Sequence, residues 1–203
     1  MANGIEEFKR LLTEFRGLSV WAVGAGVAVP FVAAMTDLSP PWPPAIVPVT
    51  AVIELLSLVL VFQFLKTSKR RVINWILSVS VALFVTTGLI YLLGLSLYTY
   101  EVPTTKERFV KGYECTSEAK AIFGEHCPDL GLDELRTAEY EADRLWTRKS
   151  IAFTRSIIVF VWLLVFAELS FALGSFLVYQ MRTKRRATSG PARTGRSRSD
   201  RET

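Results

Sequence analysis

Four apolar runs constrain this chain more than any other feature. A helix rises about 1.5 Å per residue, so a hydrocarbon layer of about 30 Å takes roughly 20 apolar residues to cross. Residues 17–35 carry no charge, 45–65 carry only Glu54, 72–98 carry none, and 151–180 carry Arg155 near the start and Glu168 in the middle. Soluble-core helices are rarely apolar all round over such lengths. Apolar residues are 50% of the chain and charged residues 21%, but the two classes are segregated. That segregation excludes a soluble globule, a disordered chain and a coiled coil. The expected fold is an all-α integral membrane protein: a four-transmembrane-helix bundle. The first run has a second reading, since Pro30 followed by Val32-Ala33-Ala34 resembles the end of a cleavable signal peptide. The mixed-charge residues 1–16 before it favour a retained span.

Basic residues near span ends mark the cytoplasmic side. Lys66, Lys69, Arg70 and Arg71 fill the turn between the second and third runs without an acid. The tail from 181 carries Arg182, Lys184, Arg185, Arg186, Arg193, Arg196, Arg198 and Arg201 against Asp200 and Glu202. The 36–44 turn has only Asp37, and residues 99–150 sum to −3. Both termini and the 66–71 turn are expected in the cytoplasm, and the 99–150 loop outside, in a plasma or inner membrane. The net charge of +5 then reflects contact with anionic headgroups, through Lys66, Lys69, Arg70, Arg71, Arg182, Lys184, Arg185 and Arg186, rather than nucleic acid.

Cys115 and Cys127 are the two cysteines, both in the loop expected outside. Disulfides persist in such compartments, so a structural disulfide is expected. His126 is the single histidine, too few for a zinc site or a histidine-based catalytic set, and no metal or cofactor is expected.

Between the spans, Ile5, Phe8, Leu11, Leu12 and Phe15 recur at helical spacing, which predicts an amphipathic helix over 1–16 lying on the inner membrane face. Four prolines stiffen the turn Ser39-Pro40-Pro41-Trp42-Pro43-Pro44. The 52 residues of 99–150 exceed what a connector needs. Thr116 or Ser117 is expected to cap a short helix that Gly124 stops, with the disulfide joining its two ends. From Asp133, Leu135, Ala138, Ala142 and Leu145 keep helical spacing, so a helix is expected to run straight into the fourth span, with Trp146 at the outer interface. The whole loop reads as a small disulfide-stapled helical cap. Residues 181–203 read as a disordered basic cytoplasmic tail.

Glu54 and Glu168 are the candidate site. An ionisable group at mid-membrane costs several kcal/mol by insertion scales, and both lie at similar expected depth. Thr50, Glu54 and Ser57 share a helix face, as do Glu168, Ala172 and Ser175; Ser80, Thr87 and Gly94 repeat every seven residues. Arg155 lies nearer the outer interface and is expected to snorkel there. The pair reads either as a proton or cation site or as neutral acids bonding helix to helix.

Phosphate loops, nucleophile elbows and nucleotide fingerprints are absent from the sequence, and no enzyme is expected. The layout of four spans with a large cysteine-bearing second outer loop superficially resembles that of tetraspanins, without their Cys-Cys-Gly signature. Two function classes follow. The first is a membrane sensor or adaptor that recognises a partner through its outer loop and contacts lipid or another protein at its basic edge. The alternative is a small oligomeric channel, transporter or permeabilising effector with Glu54 and Glu168 in its path. Expected partners are the anionic bilayer, further copies of the chain, or another membrane or cytoplasmic protein.

Overall fold

Three long helices dominate the protein in a computed structural model that describes Gly24 and residues 28–65 and 67–188, with side chains to Met181. They are α1 (Ile46–Leu65), α2 (Arg70–Tyr98) and, closing the described chain, a helix over Arg148–Thr188. All three are long and apolar enough to cross a membrane, which is consistent with a membrane protein. Residues 28–35 are also helical. The rest of the first apolar run, the expected 1–16 helix and Lys66 lie outside the described residues.

Between α2 and the last helix the chain forms a cap. It opens with an antiparallel hairpin, β1 (Thr99–Glu101) and β2 (Arg108–Val110), with Tyr100 opposite Phe109. Then come α3 (Ser117–Phe123), a 3-10 turn (Gly124–His126), α4 (Leu132–Thr137) and α5 (Ala142–Leu145), before the long helix, α6 (Arg148–Thr188).

The bundle is built around α6, against which both α1 and α2 pack. Ile46, Leu95, Ile158 and Trp162 meet at the cap end, while Leu65, Ile73 and Val178 meet at the far end. So α1 runs parallel to α6 and α2 antiparallel. The buried stripe of α1 is Ile46, Thr50, Glu54, Ser57, Leu58, Val61 and Leu65, one helical face at steps of three and four. Its outer face shows Val52, Leu56, Leu60 and Phe64. Polar groups thus face inward and apolar ones outward, the reverse of a water-soluble helix. A Cβ on Gly174 would sit 2.8 Å from Val61 Cγ1, so this glycine sets how closely α1 and α6 approach.

The cap departs from expectation in three ways. A hairpin precedes its helices. The helix expected from Asp133 into the fourth span is broken: α4 ends at Thr137, Glu139 and Tyr140 take left-handed φ of 56° and 62°, and Trp146 is extended. Trp146 is 0% exposed, so it does not lie at an interface; its indole Nε1 donates to the Pro128 carbonyl at 3.1 Å inside the cap core. Burying that ring against Tyr100, Leu130 and Leu135 outweighs continuing a helix through it. The long helix starts afresh at Arg148, where Thr147 Oγ1 accepts from the Ser150 amide at 3.3 Å.

At its other end α6 continues to Thr188, eight residues into the segment expected to be disordered. Met181 to Ala187 holds good helix formers, and the breakers Gly190 and Pro191 come only afterwards.

Candidate functional site

The buried face of α1 brings Glu54 into the bundle, where it is 1% exposed and neither carboxylate oxygen has a hydrogen-bond partner. One turn toward the cap, Thr50 Oγ1 donates to the Ile46 carbonyl at 2.8 Å and accepts from Trp162 Nε1 at 2.8 Å. Thr50 is thereby spent on joining α1 to α6. Trp162 packs on Phe166 and Tyr91, with ring centroids 4.4 and 5.4 Å away. Ser57, one turn beyond Glu54, is buried on the same stripe.

Glu168 is half-buried on α6 and turns toward α2, where Oε1 accepts from Thr87 Oγ1 at 3.3 Å. Its Oε2 is buried without a partner. The offset of 112 residues that joins Thr50 to Trp162 carries Glu54 to Phe166, two residues from Glu168, or about 3 Å along the axis. Glu54 enters from the α1 side and Glu168 serves the α2 side, and no hydrogen bond joins them among the described residues. Ser170 and Ser175 are wholly buried on α6, each with an unpartnered hydroxyl. Together these residues form a polar seam from Thr50 to Ser175, with Ser80 and Thr87 on α2. It offers carboxyl and hydroxyl oxygens as acceptors and the hydroxyl and indole protons as donors, a chemistry that can take up protons or small cations or bond helix to helix. Sequence reasoning passed over Trp162 and Ser170; an indole N–H inside an apolar run, which needs an acceptor, was the available signal for the first.

The second candidate is the joint between cap and bundle. Cys115 and Cys127 are disulfide-bonded across α3 and the 3-10 turn. Thr116 Oγ1 accepts from the Ala119 amide at 3.2 Å, and Gly124 ends the helix with φ of 47°. Cys115 also bridges Trp146 backbone to backbone. The Glu114 carbonyl accepts from the Thr147 amide at 2.9 Å and from Ser150 Oγ at 3.2 Å. Gly112 fits so tightly that a Cβ there would lie 2.3 Å from Ser150 Oγ and 2.6 Å from Trp146 Cβ. The segment 112–116 is therefore clamped to the first turn of α6. Tyr100, one residue past the start of β1, donates its hydroxyl to the Tyr140 carbonyl at 3.0 Å. Burial pushes its phenol up to about 12, and the nearby Arg155 charge works against that rise. Arg155, expected to snorkel outward, is half-buried near the cap end of α6, and its Nε has no hydrogen-bond partner.

At the far end, Lys69, Arg70 and Arg71 are exposed. Arg70 Nη2 donates to the Tyr179 hydroxyl at 2.6 Å and its guanidinium lies 4.8 Å from that ring's centroid, which ties α2 to α6. Arg182, Lys184, Arg185 and Arg186 lie on the helical continuation of α6. Among the described residues, no three His, Cys, Asp or Glu side chains gather as a metal site. The chain matches no protein-family model, curated protein or solved structure.

Proposed function

We propose that the chain is a four-span membrane protein, with both termini and the 66–71 turn cytoplasmic, that acts as a non-enzymatic sensor or adaptor. The cap recognises a partner outside, and α6 carries the consequence to the basic segment inside. The clamp of segment 112–116 onto the start of α6 is the observation that carries this reading. A helix of 41 residues is about 60 Å long, twice the hydrocarbon thickness. One rigid element would then hold the cap at one end and Arg182, Lys184, Arg185 and Arg186 at the other. These cations, with Lys69 and Arg71, meet anionic headgroups or a cytoplasmic partner. The cap also shows Ile122 and Leu132 to solvent, two apolar side chains suited to a contact surface.

Photo-crosslinking in intact membranes tests this reading, with the reactive side chain at Ile122 or Leu132. It expects a discrete adduct from outside the membrane that disappears when the other position is replaced by Lys. The absence of any adduct at both positions would sink it.

The unpartnered Glu54 carboxylate supports a second reading: conduction of protons or small cations by an oligomer, with Glu54 and Glu168 in the path. Proteoliposomes under a proton or monovalent-cation gradient separate the two. Flux that vanishes in the Glu54→Gln, Glu168→Gln double variant, at unchanged oligomeric state, selects conduction. Equal flux in both forms removes the carboxylates from any path.

A further inference from the structure

Beneath the cap, α2 and α6 part to leave an apolar crevice of about 360 Å³. Ile90, Gly94 and Tyr98 line it from α2, Phe153 and Ile157 from α6, and Tyr113 of the cap closes the top. Tyr113 meets Phe153 edge-on at 5.6 Å between centroids. From Ile90 to Tyr98 the crevice runs for eight residues, about 12 Å. That is close to the depth of one leaflet's hydrocarbon, half of about 30 Å. A Cβ on Gly94 would meet nothing within 4 Å, so the space over this residue is open.

Polar side chains stand at the cap end of the crevice, a lysine on α6 and, next to Tyr113, the exposed Glu114. Lys149 is exposed and stands one helical turn above Phe153, on the face of α6 that continues to Ile157. Its neighbour Arg148 is paired with Asp143 at 3.1 Å, whereas Lys149 has no ion pair among the described residues. The Tyr98 and Tyr113 side chains are both exposed at this end. An apolar slot with a free ammonium and two phenols at its mouth matches an amphiphile with one acyl chain and an anionic head. The volume lies at the low end of ligand pockets, roughly 300–1,000 Å³, which suits a single chain.

We propose that this crevice holds one acyl chain of an anionic phospholipid drawn from the outer leaflet, with its phosphate on Lys149 and the Tyr98 and Tyr113 hydroxyls beside it. The proposal rests on the chain being inserted in the orientation given above and is independent of what the cap recognises.

The test uses the full chain in nanodiscs of phosphatidylcholine with a minor share of phosphatidylglycerol, and counts retained lipid by native mass spectrometry after transfer to detergent. Wild type is expected to keep one phosphatidylglycerol. Gly94→Leu, whose Cβ enters open space and whose branch extends into the slot, is expected to keep none. Lys149→Glu is expected to keep one lipid and lose at least about fivefold of the preference for the anionic head, the worth of one basic residue near a charged surface. Ile157→Trp repeats the filling from the α6 side. Lipid retained equally by wild type and both filled variants overturns the proposal, as does retention without a head preference in wild type. Alkaline extraction of the same chain from vesicles reads insertion separately, so a chain that washes off is distinguished from an inserted chain with an empty crevice; either result refutes the proposal.

Discussion

The cap and the bundle solve the same problem in opposite ways. In the cap, Tyr100, Leu130, Leu135, Leu145 and Trp146 are buried together, and exposed charges pair on the outside, as Arg144 does with Glu139 and Glu141. In the bundle, Thr50, Glu54, Ser170 and Ser175 are buried while Leu56, Phe64, Leu89, Leu93 and Phe160 are exposed. The first arrangement gains from removing apolar surface from water. The second, on the proposal that these helices cross a membrane, would gain nothing that way from lipid tails and would rely on close helix contact and internal hydrogen bonds. Two stabilising logics therefore meet within a few residues, at the clamp between Gly112 and Ser150.

Substitutions on each side of the clamp can break that contrast or sharpen it. The largest effect is expected from Trp146→Ala, which removes the ring at the centre of the cap core and costs about 3–5 kcal/mol. Amide exchange should then rise across the cap while α1 and the far half of α6 stay protected; equal loss in both would show one cooperative unit. Next comes the Cys115→Ser, Cys127→Ser pair. Losing a crosslink across a loop of this size costs about 2–4 kcal/mol. The thermal transition of the cap should fall while the bundle transition holds. In the bundle, Gly174→Ala pushes a methyl against Val61 and costs about 1–3 kcal/mol. It should lower the bundle transition in detergent and leave the cap exchange unchanged. The smallest change is Thr50→Val, which removes the acceptor for the Trp162 indole and costs about 1 kcal/mol. It should be visible as a shift in the Trp162 fluorescence before it is visible in stability.

The two regions also differ in how far they can be read from sequence. Length and apolar composition alone locate α1, α2 and α6, because a helix that crosses a slab needs only its own residues to satisfy its backbone. The inward stripe of Thr50, Glu54 and Ser57 follows from helical spacing in the same way. In the cap, the short helix between Thr116 and Gly124 was legible, since its cap, its stop and its flanking cysteines are local signals. The break at Glu139 and Tyr140 was not. It exists because Trp146 is drawn to Cys115 and Pro128, partners 31 and 18 residues away, and no local pattern encodes that pull. The hairpin is illegible for a different reason: its three-residue strands are too short to show a period. The partition of the two glutamates was also illegible. Spacing gave their common level, but which neighbour each one serves depends on how α6 is rotated between α1 and α2.

The unbroken course of α6 has a mechanical consequence. Each residue of a helix adds about 100° of rotation and 1.5 Å of height. The residue count between the clamp at Ser150 and the cations from Arg182 onward therefore fixes the compass bearing of those cations relative to the cap. Adding or deleting one residue in the middle of α6 would swing that bearing by more than a quarter turn while hardly changing its height. Changes of seven residues would nearly restore it. In its geometry α6 is a torsion bar, and its phase is a heritable property of the chain distinct from the identity of any side chain along it.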